Sequence, residues 1–588
     1  MERIPSIVVL PAFRRKTTSL RSIHVKRISP SGFFRVRFAS TTASRPAGEI
    51  VRKSSTAATT TTTTEDSALY PTPRQHEKER IMILGSGWGG YTLSRKLSSS
   101  KFSATVISPR SYFVFTPLLT DAAVGSLNFS EIVEPVRDRR NQIDFLQASA
   151  RKVDFERKVI TCQASVVRSG VTESARVEQR ERKFDEGPET GPMRGKEHLR
   201  KWEEGQVFEV PYDKLIISVG CASRTFDTPG VRENAFFFKD IGDARRVKRR
   251  IRECFELALM PTTSPEMRRH LLHFAIVGAG PTGTELAAAL CDFLHEDIVK
   301  VYPELKGQIR VTLYDVGPTV LSMFDESLSK YAMKVMKREG VTIKMNRHIQ
   351  ALRWGQPGQK PPYDMDPKGC LTLDIKEEGE VGVGMCVWAT GNEMNKFVNN
   401  ALGPPLDTFP VSSAFAKDTD KPVTNHDNTS WSIKKAPPLG ALLVDKHLHV
   451  QLESSDGRTA VLKDVFAIGD NSMLETGSPP ATAQATNQEA IWLAKRLNKD
   501  DMDRSPGFLF KNLGVLAYLG NSKALMQLPH EIGEEGAKKY LPKGIKGYAA
   551  WLIWKGAYLN MSVSWRNRMR MVFSWVTNWI FGRDISRY

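Results

Sequence analysis

The sequence predicts an α/β fold with two Rossmann-like dinucleotide-binding domains. Two segments carry that expectation. Gly85-Ser86-Gly87-Trp88-Gly89-Gly90 and Gly278-Ala279-Gly280-Pro281-Thr282-Gly283 both spell G-x-G-x-x-G. Each follows a short apolar run, Ile81 to Leu84 and Phe274 to Val277, and each opens a helix-like stretch. In such a unit the first glycine permits a tight turn. The second lets the backbone approach a pyrophosphate, and the third lets helix and strand pack closely. The helix N-terminus then points unpaired N–H groups at the phosphates. One such motif is a weak signal. Two, each between a strand and a helix, are hard to explain as plain turns.

The strand after each loop separates the two sites. After the second loop, Ile309 to Tyr314 ends in Asp315. A carboxylate there accepts hydrogen bonds from a ribose 2′-hydroxyl and repels a 2′-phosphate. Asp315, with Gly278, Gly280 and Gly283, is therefore assigned to NADH. The competing reading is a solvated acid at a strand end. The connection from Gly283 is longer than usual, with residues 295–308 extending it. After the first loop the same place reads Ser108-Pro109-Arg110, without an acid. Two further strand ends fit the architecture. One is Val387-Trp388-Ala389-Thr390-Gly391. The other is Val465-Phe466-Ala467-Ile468-Gly469-Asp470, whose aspartate suits a sugar-like hydroxyl chain. Either alone would pass for an ordinary strand-to-turn ending.

The 588 residues allow three or four domain-sized units, and 40% hydrophobic content can fill their cores. The net charge of +19 raises the question of an anionic partner. Much of it sits in residues 1–48, where ten Lys/Arg face Glu2 alone. An Arg- and Ser-rich, acid-poor start predicts a mitochondrial transit peptide, with a disordered basic tail as the alternative. Residues 49–79, including Thr56 to Thr64, read as a linker. Six scattered cysteines form no C-x-x-C and no zinc spacing, so reduced thiols and no metal are expected. Asp364-x-Asp366-x-x-Gly369 imitates the start of a calcium loop, but Lys368 and Ile375 stand where acids are required. No run approaches the roughly 18 apolar residues of a spanning helix.

In this order, the four segments resemble the two-dinucleotide-binding-domain flavoproteins. That resemblance implies FAD on the first loop, involving Gly85, Ser86, Gly87 and Gly90, and Gly469-Asp470 closing the FAD domain. It implies that the NADH domain is inserted into the FAD domain. Boundaries follow: FAD domain 80–240 with a charged insertion at 163–206, NADH domain 241–395, FAD domain again 396–504 with a surface insertion at 404–438, and a C-terminal region 505–588. Phe115-Thr116-Pro117-Leu118-Leu119, Ile132-Val133-Glu134-Pro135, Glu285, and Gly391 within Trp388 to Asn392 look like the type II NADH dehydrogenases, the non-proton-pumping NADH:quinone oxidoreductases. The most specific segment is Pro480 to Ala490, whose A-Q-x-x-x-Q falls on Gln484 and Gln488. In that family this segment borders flavin and quinone. The family often has His just before the second Gln; here Asn487 stands there. Phe581-Gly582-Arg583-Asp584 is similar to eukaryotic members. The resemblance implies tightly bound FAD, NADH and ubiquinone, with Glu285 near the nicotinamide. Thr116 and Pro117 join the cofactor set. A disulfide reductase of the superfamily would need a C-x-x-x-x-C after the first loop, and no cysteine precedes Cys162. The alternative is an apoptosis-inducing-factor-like NAD(P)H flavoprotein oxidoreductase, which leaves Gln484, Gln488 and the tail unexplained.

The tail carries a stripe at helical spacing: Trp551, Trp554, Tyr558, Met561, Trp565, Met569, Val572, Val576 and Trp579. Residues 543–588 hold eight Lys/Arg against Asp584. This predicts an amphipathic helical region anchored in a bilayer interface. Packing on the protein's own core, or a homodimer interface, is the competing role. Nucleic acid is not expected, because no binding motif accompanies the charge. The expected location is the inner mitochondrial membrane, peripheral, with the matrix face favoured.

Overall fold

The computed structural model describes residues 78–585 apart from 138–142, 167–204, 360–368, 417–420, 426–428, 478, 529–543, 563 and 584. The expected leader, nearly all of the linker, most of the 163–206 insertion and most of the calcium-like segment lie outside the described residues.

Short aliphatic runs build the first sheet. Strand Glu79–Leu84 is flanked in parallel by Phe102–Ser108 and Lys214–Ile217. Asp144–Asp154 continues the parallel order, and antiparallel Val159–Ala164 and Val207–Pro211 finish that edge. Ile81, Ile83, Val106 and Ile216 are fully buried, as strands covered on both faces require. The helix after the first loop is α1, Trp88–Lys96. Strand Thr459–Ala467 then joins in parallel on the other side of Lys214–Ile217. The chain reaches it only after an excursion that forms a complete second sheet.

That second sheet is wholly parallel, in the order Phe236–Phe237, Met385–Trp388, His273–Val277, Arg310–Tyr314, Val341–Lys344. It begins slightly before the expected boundary at 241. Helix α2, Pro281–Phe293, follows its glycine loop and is buried from Gly283 to Phe293. The two dinucleotide-binding folds expected from the glycine loops are thus present, the second inserted into the first. The extension after α2 is a chain of short turns, Leu294–Ile298, Val299–Val301 and Pro303–Leu305.

Two expectations need correction. Residues 404–438 were expected to be a poorly packed insertion, yet part of this stretch belongs to the first sheet. Ala414–Phe415 pairs with Thr459–Ala467, and Trp431–Ile433 pairs with His449–Ser454. Trp431 is 2% exposed. Its ring lies 4.9 Å from Phe409 and beneath the Arg458 guanidinium. Strands of two or three residues show no periodicity, so composition alone hides them.

The tail stripe is the second. Helix α3, Ala483–Lys499, ends the first domain. An antiparallel sheet of Val515–Gly520, Lys523–Gln527 and Gly544–Gly547 follows. The stripe then divides between two helices, α4 (Tyr548–Met561) and α5 (Trp565–Phe581). Trp554 faces the core, while Trp565, Met569, Val572, Val576 and Trp579 face outward. The break falls at Ser562 to Ser564, where Arg568 donates to the Ser562 and Asn560 carbonyls. Ala517, Leu519, Leu525, Ala550 and Trp554 share one hydrophobic core with Leu286, Leu290 and Phe293 of α2.

Replacing Trp431 by Ala removes a buried indole and leaves a cavity. The expected loss is about 3 kcal/mol, read as a lowered thermal unfolding midpoint; an unchanged midpoint would place Trp431 at a yielding surface.

Candidate functional site

Both loops have the same steric design. Gly85 and Gly278 adopt φ of +108° and +107°, a region that L side chains rarely enter. A Cβ on Gly90 would lie 2.0 Å from the Gly85 carbonyl, and one on Gly283 would lie 1.9 Å from the Gly278 carbonyl. The middle glycines differ: a Cβ on Gly87 or Gly280 would meet nothing within 4 Å. Two turns thus press helix against strand and keep open space beside the middle residue. That is the fit a pyrophosphate requires.

One cleft of about 900 Å³ joins the two units. Gly85, Ser86, Gly87, Pro109, Arg110, Thr116, Pro117, Gly469 and Asp470 line its first-domain side. Pro281, Thr282 and Glu285 enter from α2, and Leu516 and Tyr558 come from the C-terminal region. Its lining takes in the first glycine loop, Asp470 and the start of α3, all expected beside FAD.

Local contacts set these side chains. Ser86 Oγ lies 2.9 Å from Ser108 Oγ, tying the loop to the next strand. The Trp88 indole donates to Thr116 Oγ1 at 3.0 Å. Arg110, standing where the ribose acid is missing, pairs with Asp240 at 3.3 Å. The Cys221 thiol donates to Asp470 Oδ2 at 3.1 Å. Gly469 has φ +78° and lies against the Thr486 side chain of α3.

Glu285, expected near the nicotinamide, stands on α2. The structure buries it: only 8% is exposed. Its Oε1 accepts the Tyr518 N–H at 3.1 Å. Burial pushes its pKa up to about 8, opposed by that N–H and reinforced by the Asp121 carboxylate. Asp121 is itself pushed up to about 6 by burial, against Lys555 and Arg583. One turn-pair further along α2, Asp292 accepts the Tyr518 hydroxyl at 2.6 Å.

Other expected site residues fall near the cleft rather than in its wall. Asp315 sits at the end of Arg310–Tyr314, as required, with its carboxylate on the Ala279 N–H at 2.5 Å and the Gly317 N–H at 2.6 Å. It therefore orders its own loop while keeping lone pairs for a ribose. The Gly391 carbonyl accepts the Arg224 N–H at 2.9 Å, outside the cleft wall. Gln484 and Gln488 do not line the cleft. Their amides bracket a backbone segment: Gln484 bonds Leu513 N and Gly514 O, and Gln488 bonds Lys511 N and O. Both side chains clamp the crossing from α3 to the C-terminal sheet.

Three contributors escaped the sequence reading. Lys239 Nζ enters the cleft, donating to Asn392 Oδ1 at 2.8 Å and Ala222 O at 3.1 Å. Glu489 accepts the Gly469 N–H at 2.6 Å, and burial pushes its pKa up to about 7. Tyr558 lines the cleft from α4. None has a local signal, since each partner is distant in sequence. Glu489 lay inside the Pro480 to Ala490 segment, and Tyr558 inside the tail stripe, where it was read for a membrane face and not for the cleft.

A family model described as pyridine nucleotide-disulphide oxidoreductase matches residues 79–408, and one described as the NDH2 C-terminal domain matches 512–584. The external NADH-ubiquinone oxidoreductase 2, mitochondrial, of Saccharomyces cerevisiae is 32% identical, over 87% of this chain and 82% of that protein. The internal alternative NAD(P)H-ubiquinone oxidoreductase A1, mitochondrial, of Arabidopsis thaliana is 30% identical, over 97% and 98%. The solved structure of NDH2 from Plasmodium falciparum in complex with NADH has the same fold, with a TM-score of 0.64 at 22% identity over 87% of this chain and all of that one. The cleft, the paired loops and the C-terminal region that closes on them are thus those of a chain belonging to the pyridine nucleotide-disulphide oxidoreductase family, in its type II NADH dehydrogenase branch.

Proposed function

We propose that this chain is an FAD-dependent NADH:ubiquinone oxidoreductase that works at the mitochondrial inner membrane without pumping protons. The observation that carries this is the single cleft touched by both glycine loops' helices and by the C-terminal region. Bound flavin would supply the two-electron relay between NADH and quinone. The chain's own residues supply placement and a proton. Gly278 to Gly283 and Asp315 would hold NADH, and Gly85 to Gly90 with Asp470 would hold FAD. Quinone reduction by NADH consumes one proton from water in each turnover. Glu285 holds a proton at neutral pH, because its pKa is about 8. Gln484 and Gln488 act here as clamps that hold the crossing at Lys511 to Gly514.

Helix α5 supports membrane docking. Its protein-facing side joins the core through Met571 and Trp575 and is otherwise held by polar contacts: Asn567 donates to Val133 O and Glu134 Oε1, Ser574 to Glu131 and Asn578 to Ser126 O. Its outer side is apolar, with Trp565, Phe573, Trp579 and Phe581 each at least 70% exposed. An apolar outer face on a polar-anchored helix suits a bilayer interface. Among the described residues no helix is long and apolar enough to cross a membrane. Relatives named internal and external both match, so protease protection of intact mitochondria assigns the face.

Purified protein should carry yellow flavin and oxidise NADH only as fast as ubiquinone is supplied; colourless protein would refute the proposal. Gly280→Val fills the open space beside the second loop. It should keep the flavin and raise KM for NADH by at least tenfold, whereas unchanged KM would remove that loop from NADH binding. Glu285→Gln should abolish the decline in kcat as pH rises through about 8. Linkage runs the same way: ionising Glu285 in its buried site is unfavourable. Its stabilising effect is therefore full below the ordinary carboxylate range and lost as pH rises to about 8. A kcat profile identical to that of the parent would exclude Glu285 as proton source. Phe573→Asp with Trp579→Asp should weaken binding to anionic liposomes at least tenfold with flavin content unchanged. Equal binding, with a dimer in solution lost instead, would assign that face to a second copy.

A further inference from the structure

Outside the cleft, one hairpin of the first sheet gathers metal-ligand side chains. It joins strand Ala441–Val444 to strand His449–Ser454. Asp445, His447 and His449 place one ligand atom each within 4.8 Å of one another, and no other described residues form such a group. All three are buried. The expectation of no metal rested on cysteine spacing and calcium-loop spacing. A histidine pair separated by one residue belongs to neither pattern.

We propose that Asp445, His447 and His449 form a site for a divalent transition-metal ion of the zinc class. The geometry is already close to what such an ion needs. Asp445 Oδ2 and His449 Nδ1 stand 3.1 Å apart. Two ligands on a tetrahedral zinc ion with bonds near 2.0 Å stand about 3.3 Å apart. A cation takes the place of the proton those two atoms share.

The second imidazole is oriented from outside. His447 Nε2 lies 3.1 Å from the Ser505 carbonyl. A carbonyl accepts only, so this nitrogen carries the hydrogen, and Nδ1 keeps the lone pair. A ligand histidine whose far nitrogen donates to a backbone carbonyl is the usual outer-shell arrangement at metal sites. Each ring is also held by packing, His447 on Trp492 and His449 on Phe466. Leu448 between them is fully buried at φ +71°, an uncommon conformation for a leucine.

Two nitrogens and one carboxylate exclude a calcium or magnesium preference and suit zinc or its first-row neighbours. Three protein ligands leave one position open. A second cavity of about 410 Å³, lined by His449, Lys463, Phe466, Arg496 and Asp503 among others, provides entry and water. Of the cations facing it, Lys463 pairs with Asp503 and Arg496 with Asp501, both at 2.9 Å, Lys214 pairs with Glu79, and Lys101 donates to the Asn498 carbonyl. His449 is paired in the sheet with Phe466, three residues before Gly469. An ion here would brace the strand that delivers Asp470 to the cleft. Its role is structural, and no electron passes through it.

The test uses full-length, flavin-loaded protein stripped of metal by chelator. Titration with Zn2+ alone should show one ion per chain by calorimetry and a raised unfolding midpoint. Co2+ should give the visible bands of a tetrahedral site, at longer wavelength than oxidised flavin. Asp445→Asn retains the oxygen that the His447 and His449 N–H groups require, at 2.9 and 2.8 Å, while removing the ligand charge. It should weaken Zn2+ binding at least tenfold, and His447→Gln should do the same, both with full flavin content. The absence of stoichiometric Zn2+ binding in the parent protein would overturn the proposal. So would Zn2+ affinity and Co2+ bands unchanged in both variants, which would place the ion elsewhere.

Discussion

The cleft depends on how one strand of the C-terminal sheet meets helix α2. Tyr518 is the joint. Its backbone N–H reaches Glu285 and its hydroxyl reaches Asp292, two turns further along the same helix face. Its ring packs on Trp554 at 5.5 Å. A buried carboxyl without such partners is unfavourable by about 1 to 3 kcal/mol, so α2 could not present these acids to an apolar neighbour. The C-terminal sheet satisfies them from one hairpin, where the Asn521 N–H joins Tyr518 on Asp292 at 3.0 Å. In doing so it places Leu516 and Tyr558 in the wall opposite the first glycine loop. Strand, helix and cleft are therefore one structural unit, though their residues are hundreds of positions apart.

The same logic turns helix α5 inside out. A surface helix ordinarily buries its apolar stripe and exposes its polar one. Here Asn567, Ser574 and Asn578 are spent on Glu134, Glu131 and the Ser126 carbonyl. Those acceptors come from the stretch around Ile132 to Pro135, which adjoins the cleft lining at Thr116 to Thr120. Arg583 adds ion pairs of 3.2 Å to Glu296 and Asp297 beyond α2. Directional polar contacts fix the helix, leaving its aromatic side for something other than the protein's own core. Of the basic residues expected to flank that side, Arg568 is occupied at the α4–α5 corner. Lys555 sits between the Trp551 and Trp575 rings, at 4.4 and 4.6 Å.

The sequence disclosed most where chemistry and local geometry coincide. Both loops, the strands before them and the helices after them were legible, because the last glycine of each meets the carbonyl of the first within the loop itself. The insertion of one domain into the other was legible only through resemblance, since it rests on Lys214–Ile217 pairing with Thr459–Ala467 across the whole second sheet. The tail stripe was seen, but periodicity reports a face and not which face is covered. Trp554 and Trp579 share one stripe in sequence and have opposite environments in the fold, 2% against 87% exposed. Glu285 carries no local signal of its own, because an acid on a helix is ordinary. What distinguishes it is Tyr518, more than two hundred residues away. Gln484 and Gln488 show the reverse error: a motif located them correctly beside the cleft, while their amides are committed to the backbone at Lys511 to Gly514.

Proton inventory at the cleft wall follows from this burial. Asp121 and Glu285 lie close enough to feel each other, and both are desolvated. Lys555 and Arg583 favour charge on Asp121, whereas an N–H dipole is the main opposing influence at Glu285. At neutral pH the first is therefore mostly ionised and the second mostly protonated. Charging Glu285 as well would set two like charges in one low-dielectric wall. The wall thus holds close to one proton, on the residue that faces the cleft. In the proposed function, a reaction that draws one proton from water per turnover would meet a group able to give one and regain one. Burial, with the neighbouring Asp121 carboxylate added to it, keeps the proton affinity of Glu285 high.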